Sequence, residues 1–156
     1  LLVAGQYFVR GLIQRVHKAH VNVDKQCVGT IERGLLLFLA VEAGDTESIA
    51  DKLLHKTLNY RVFPDAAGKM NLSLHDIRGA ILVISQFTLA ADTHKGLRPS
   101  FSKAAAPDLA KALYHYFLAQ LRAAAGVDIR VAEGVFAADM QVSLINDGPV
   151  TFLLEV

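Results

Sequence analysis

Apolar and polar positions alternate along this chain with two periods, and the switches between them mark its elements. Residues 9–16 and 19–23 read as strands. In the second, His20, Asn22 and Asp24 share one face, and Val21 and Val23 share the other. Asp24-Lys25-Gln26 predicts a turn and residues 27–31 a short returning strand. Residues 34–41 are almost wholly apolar, the pattern of a central strand buried on both faces. Gly44-Asp45-Thr46 opens a helix: Thr46 can cap it, Glu47 suits its first turn, and Ile49, Leu53, Leu54 and Leu58 form its apolar stripe.

Residues 61–63 are short and extended and precede a loop at 64–68. Residues 80–86 repeat the buried-strand pattern. Pro107 starts a second helix, where its missing N–H is not needed, with Leu109, Leu113, Tyr116, Phe117 and Leu121 as its apolar face and Gly126 as its end. Residues 128–132, 141–146 and 150–155 read as three closing strands. The order is strands, then strand–helix twice, then three strands, written β2-(βα)2-β3. It predicts an α/β fold with helices on one side of a curved sheet system.

Composition narrows the picture. The 156 residues suit one domain, and 53% hydrophobic against 20% charged residues excludes disorder as the main state. The apolar excess predicts a dense core and an oligomer interface. No apolar run approaches the roughly 18 residues of a membrane span. Lys+Arg 16 against Asp+Glu 15 excludes a globally basic nucleic-acid binder but not a local basic patch. The single Cys27 excludes an internal disulfide framework and fits a reducing, cytoplasmic setting. Residues 1–8 carry no charge and lack the form of a secretory signal, so they read as a leader or disordered extension ahead of a domain at 9–156.

Three segments hold candidate chemistry. At Ser85-Gln86-Phe87-Thr88-Leu89 a buried strand ends in two hydroxyls and an amide, and ligands bind at strand ends in open α/β sheets. Ser85 and Thr88 could be nucleophiles, yet no histidine or lysine adjoins them as base; the plainer reading is hydroxyls that satisfy backbone groups. Asn146-Asp147-Gly148-Pro149-Val150-Thr151 reads as a turn between two strands. Residues 93–107 contain His94, Lys95, Arg98 and Lys103 without an acid. Arg10, Arg15, His17, Lys18 and His20 likewise precede the first acid, Asp24. Both islands fit either a phosphate-binding surface or a solvated loop. The six histidines are scattered, so no metal site and no cofactor is expected.

These segments together resemble the D-aminoacyl-tRNA deacylase family. The likeness runs through Leu12-Ile13-Gln14-Arg15-Val16, Lys69-Met70-Asn71-Leu72-Ser73, the 85–89 segment, Arg98-Pro99-Ser100-Phe101 and the 146–151 segment. Ala40 and Ala137 stand where that pattern commonly has glycine, and His94 where it commonly has arginine. The resemblance implies sheets packed in layers with helices on one side. It implies a homodimer with an active site at the interface, where a cis Gly148-Pro149 pair from one subunit enters the other's pocket and rejects L-amino acids. The implied reaction is hydrolysis of D-aminoacyl-tRNA, with glycyl-tRNA partly accepted. Ser85, Gln86, Phe87 and Thr88 would form the catalytic strand end, Met70, Phe136, Asn146, Val150 and Thr151 would touch substrate, and Lys95, Arg98 and Lys103 would hold tRNA phosphates. No membrane or DNA partner is implied. The competing readings are an esterase with Thr88 or Ser85 as covalent nucleophile, and a non-catalytic RNA-binding dimer.

Overall fold

A computed structural model describes residues 9–156; the expectation for residues 1–8 lies outside them. In chain order the elements are β1 (Arg10–Val23), β2 (Gln26–Ile31), β3 (Gly34–Ala40), α1 (Glu47–Asn59), β4 (Phe63–Pro64), β5 (Met70–Leu72), α2 (Leu74–Ile77), β6 (Ala80–Ser85), α3 (Pro107–Ala125), β7 (Arg130–Glu133) and β8 (Gln141–Leu154). Six strands form one sheet in the order β2-β1-β3-β6-β7, with β8 paired to β1, while β4 and β5 make a separate small hairpin. β3, β6 and β7 run parallel, and β1 is antiparallel to β2, β3 and β8.

The apolar runs of β3 and β6 are buried on both faces, as their composition predicts. Leu35, Leu37, Ile81 and Val83 point toward α1 and α3 and pack with Leu53, Phe117 and Leu121. The alternate residues Leu36, Leu82 and Ile84 point the other way and pack with Val16, Ala19, Val21 and Ile31. This second core is enclosed because the sheet curls until β2 meets β6 and β7. A Cβ built on Gly29 would lie 2.7 Å from the Glu133 carbonyl oxygen, so only glycine permits that approach. Helix α1 starts as expected, the Ile49 N–H donating to Thr46 Oγ1 at 3.3 Å. Helix α3 has Pro107 in its first turn and Gly126 at its end, with φ +56°.

Three expectations need correction, and one helix was not anticipated. Residues 9–16 and 19–23 form one strand, β1, because β8 pairs along almost its whole length. Residues 141–146 and 150–155 also form one strand: Asn146-Asp147-Gly148-Pro149 is no turn. The ladder absorbs these residues as register shifts at Gln14/Val16 and Val16/Lys18 rather than breaking. The apolar face of α3 is rotated from the expected one: Tyr114 and Leu118 are buried and Leu109 is 40% exposed. Finally, Ser73-Leu74-His75-Asp76 closes a capping box on the short helix α2, Ser73 N–H donating to Asp76 Oδ2 at 2.8 Å.

Two carboxylates are buried beside the start of β1. Glu42 is 4% exposed and Asp45 5%. Arg10 Nε lies 2.6 Å from Glu42 Oε1, and Asp45 Oδ2 accepts from the Glu42 N–H at 2.6 Å. Burial pushes the Asp45 carboxyl up from 3.8 to about 6, helped by the charge of Glu42 and opposed by the backbone hydrogen bonds it accepts. The folded protein therefore holds this proton more tightly than the unfolded chain. Asp45's contribution to stability is present in full below pH 3.8 and is lost as pH rises through about 6. Asp45→Asn should remove this part of the pH dependence, a difference on the order of 2 kcal/mol. Urea unfolding of both proteins at pH 5 and pH 8 measures it; an unchanged slope between the two would show that Asp45 titrates normally.

Candidate active site

Strand β6 ends at Ser85, and the Gln86 N–H donates to the Leu39 carbonyl at 2.8 Å, tying the strand end to β3. The chain then makes one 3-10 turn over Phe87–Ala90. The N–H groups of Phe87 and Thr88 stand at the start of this turn, where no carbonyl of the turn can accept from them. Gln86 Nε2 donates to Thr88 Oγ1 at 2.5 Å. The hydroxyl partner is thus an amide, and among the described residues no histidine or lysine bonds to Thr88. The Phe87 ring is 60% exposed and stacks obliquely on Phe101, with centroids 5.2 Å apart.

Two cavities flank this strand end. One, of about 470 Å³, is lined by Ser85, Gln86, Phe87, Phe136 and Met140 among others. The second, of about 340 Å³, is lined by Leu12, Phe38, Gln86, Thr88 and Leu89. The structure thus gathers Ser85, Gln86, Phe87, Thr88 and Phe136 into one region. Met140 joins them from just before the start of β8, a residue that sequence pattern did not single out. Met70 lies elsewhere, half exposed on β5, and lines neither cavity.

The peptide bond between Gly148 and Pro149 is cis. Both residues are exposed and line neither cavity of their own chain. The segment is held firmly from beneath. Arg15, its side chain 12% exposed, places Nε 2.9 Å from Asp147 Oδ2 and donates to the Asp147 carbonyl at 3.2 Å and the Val62 carbonyl at 2.6 Å. Asn146 Nδ2 donates to the carbonyls of Arg15 and Val150 at 3.0 and 3.1 Å, and Gln14 Nε2 donates to Thr151 Oγ1 at 3.1 Å. Val150 is buried in the main core. The side chains of Asn146, Val150 and Thr151 are therefore engaged within the chain and brace the Gly148-Pro149 segment. A Cβ on Gly148 would come within 2.6 Å of Asn146 Oδ1, so this position admits no side chain without displacing the brace.

The basic islands are less free than their sequence suggests. Asp92, just outside the acid-free stretch, accepts from the His94 N–H and sits 2.7 Å from His94 Nδ1. Those bonds hold its carboxyl below the usual carboxylate range. Its other oxygen is 3.9 Å from Lys103 Nζ. Lys103 and His94 are thus partly neutralised, while Lys95 and Arg98 have no ion pair among the described residues. In the N-terminal island Arg10 and Arg15 are committed to Glu42 and Asp147.

A sequence model for the family described as D-Tyr-tRNA(Tyr) deacylase matches residues 12–155. The chain belongs to this family. Proteins named D-aminoacyl-tRNA deacylase from Cellvibrio japonicus and Haemophilus ducreyi are 60% and 62% identical to it, each over 94% of this chain and 98% and 99% of their own. Among solved structures, one described as c-Myc DNA Unwinding Element Binding Protein matches with TM-score 0.89 and 38% identity, covering 94% of this chain and 98% of that one. One described as a probable eukaryotic D-amino acid tRNA deacylase shares the fold, with TM-score 0.85 at 20% identity over 95% and 99% of the two chains.

The deacylase pattern explains one departure noted above. Ala137, on the wall of the larger cavity, has φ +63°, the left-handed region where glycine is at ease and alanine is strained. Arg15 is the residue on which the bracing depends most. Arg15→Met keeps the length of the side chain but leaves Asp147 only His17, 3.7 Å away, and the Asp147 and Val62 carbonyls without their donor, and should destabilise the fold by roughly 2 kcal/mol. The urea midpoint measures this; a loss below that of an ordinary surface substitution would show that the bracing is not held by this guanidinium.

Proposed function

We propose that this chain, as a cytoplasmic homodimer of a single domain at residues 9–156, hydrolyses the ester between a D-amino acid and the 3′-terminal adenosine of tRNA. Family membership supports the substrate. The observation that carries the chemistry is the strand end at Ser85–Thr88, set between two cavities, whose first two turn amides have no hydrogen-bond partner among the described residues. An aminoacyl ester is already activated. Hydrolysis needs an aligned water, a donor for the oxyanion and a protonated leaving oxygen. The Phe87 and Thr88 amides serve as that donor. Water adds to the ester carbon, the bond to the ribose oxygen breaks, and the water proton passes to that oxygen, directly or through the neighbouring ribose hydroxyl. Free D-amino acid and tRNA leave.

Chirality is judged by main chain. The Gly148-Pro149 segment of one subunit enters the cavity region of the other, and its carbonyls accept from the substrate ammonium while leaving no room for an L-side chain. Its exposure, its distance from its own chain's cavities and its bracing by Arg15 and Asn146 support this role. A filter of braced backbone is harder to relax than one of packed side chains. Glycyl-tRNA, having no side chain, partly passes it. Phe136 contacts the terminal nucleotide, while Met70, outside both cavities, is not assigned to it, and Lys95 and Arg98, with Lys103 in a lesser role, hold phosphates of the acceptor stem.

The esterase reading requires a base for Thr88, and the Gln86 amide that bonds its hydroxyl is a donor that cannot take a proton from it. Purified protein should release D-tyrosine from D-tyrosyl-tRNA and leave L-tyrosyl-tRNA intact; equal cleavage of the two would overturn the proposal. Thr88→Ala should keep activity within about tenfold, since loss of a true covalent nucleophile costs on the order of 10⁴-fold or more. Lys95→Ala should weaken tRNA binding and make its salt dependence shallower by about one in log–log slope. Binding measured at several salt concentrations tests this, and an unchanged slope would remove Lys95 from the phosphate contacts.

A further inference from the structure

Four of the eight arginines have partners within the chain: Arg10 with Glu42, Arg15 with Asp147, Arg61 with Asn71 and Arg122 with Glu133. Arg98 belongs to the basic loop already described. The other three, Arg33, Arg78 and Arg130, are exposed, and among the described residues none makes an ion pair or donates a side-chain hydrogen bond. They are not scattered. Gly34, Ala80 and Arg130 are register partners across the parallel strands β3, β6 and β7, so these arginines arrive side by side where those strands begin. All three line one groove of about 350 Å³, with Glu32 and Asp128 on the same walls but outside ion-pair distance.

The groove is shaped by the backbone on which it stands. The Arg33 guanidinium lies over the ring of the fully buried Phe63, 5.6 Å from its centroid, which limits its wandering. Arg78 has φ +49°, and its N–H is bound by the carbonyls of Leu74 and His75 at the end of α2. Three guanidinium groups left without carboxylate partners and gathered in one concavity form a surface for phosphate, whose oxygens match their fork of donors. The groove is at the opposite end of the parallel strands from Ser85, and six residues of strand put it roughly 20 Å away. At that distance it cannot sense the amino acid.

We propose that this groove binds phosphodiester groups in the acceptor arm of the tRNA, giving the protein a second hold on its substrate away from the ester. The proposal rests on reading the chain as a deacylase of charged tRNA. It adds, beside Lys95 and Arg98, to the share of the affinity that is independent of the amino acid and of the terminal adenosine.

The test compares the wild type with the triple variant Arg33→Ala, Arg78→Ala, Arg130→Ala and the single variant Arg130→Glu. Three readouts are needed: binding of uncharged tRNA at several salt concentrations, kcat and KM on D-tyrosyl-tRNA, and kcat/KM on D-tyrosyl-adenosine, which has no phosphodiester. The proposal expects about tenfold weaker tRNA binding with a shallower salt slope for the triple variant, and a smaller loss for Arg130→Glu. It expects KM to rise on D-tyrosyl-tRNA with kcat unchanged, and no change on D-tyrosyl-adenosine. Unchanged tRNA binding in both variants would overturn it. So would equal losses on the two substrates, which would mean a structural effect. If the wild type cleaves neither substrate, the hydrolytic reading fails by itself, and the uncharged-tRNA arm still decides whether the groove holds RNA.

Discussion

The antiparallel ladder between β1 and β8 is the constraint on which the rest of the molecule depends. Strand β1 carries β3 along its first half and β2 along its second, while β8 runs beside both halves. The ladder therefore joins the helix-covered core to the core enclosed by the curled sheet. It is not regular. Its register slips on both sides of Val16, and the slack falls opposite the segment Asp147-Gly148-Pro149. A continuous ladder would bury those residues' polar groups in cross-strand bonds. The slips instead leave Gly148 and Pro149 outward and bring Arg15 beneath them.

Both halves of the proposed site follow one physical logic: side chains hold the segments in place, and main-chain groups are left to meet the substrate. Gln86 bonds Thr88, Asn146 bonds the carbonyls of Arg15 and Val150, and Gln14 bonds Thr151. These polar side chains are taken up by one another or, for Asn146, by backbone carbonyls, which in the proposed site leaves the Phe87 and Thr88 amides and the Gly148-Pro149 carbonyls as the groups for a ligand. Such an arrangement suits a reaction whose substrate is already activated and whose side chain must go unread. Positioned amides lose no rotamer freedom on binding, and they are displaced only by moving the fold.

Much of the fold was legible because it rests on local rules. The runs of β3 and β6, the Thr46 cap, Pro107 at the start of α3 and Gly126 at its end are all set by residues near in sequence. What local rules could not supply was a partner from far along the chain. Asn-Asp-Gly-Pro reads as a turn by every short-range criterion, and only the pairing of β8 with β1, more than a hundred residues earlier, keeps it extended. The same applies to charge. Residues 93–107 lack acids, but Asp92 one step outside them pairs with His94 and Lys103. The Ser85–Thr88 site was visible as a strand end with unusual polar residues, whereas the role of Arg15 needed Asp147 and Val62 brought to it by the fold.

The distribution of acids answers how a chain with sixteen basic and fifteen acidic residues can address a polyanion. Net charge near zero gives little long-range attraction, so the local arrangement has to provide it. Near the 93–107 loop and the Gly148-Pro149 segment the carboxylates are withdrawn. Glu42 and Asp45 are buried, Asp92 is folded into its own loop by the His94 N–H, and Asp147 is pinned by Arg15. Withdrawing them has a cost, visible in the raised Asp45 carboxyl. In return, Lys95 and Arg98 face solvent without an ion pair among the described residues. The pattern implies that repulsion removed counts for as much as attraction added: an acid moved from burial to the surface beside the 93–107 loop would oppose the phosphates directly, at a separation well inside the roughly 8 Å screening length of physiological salt.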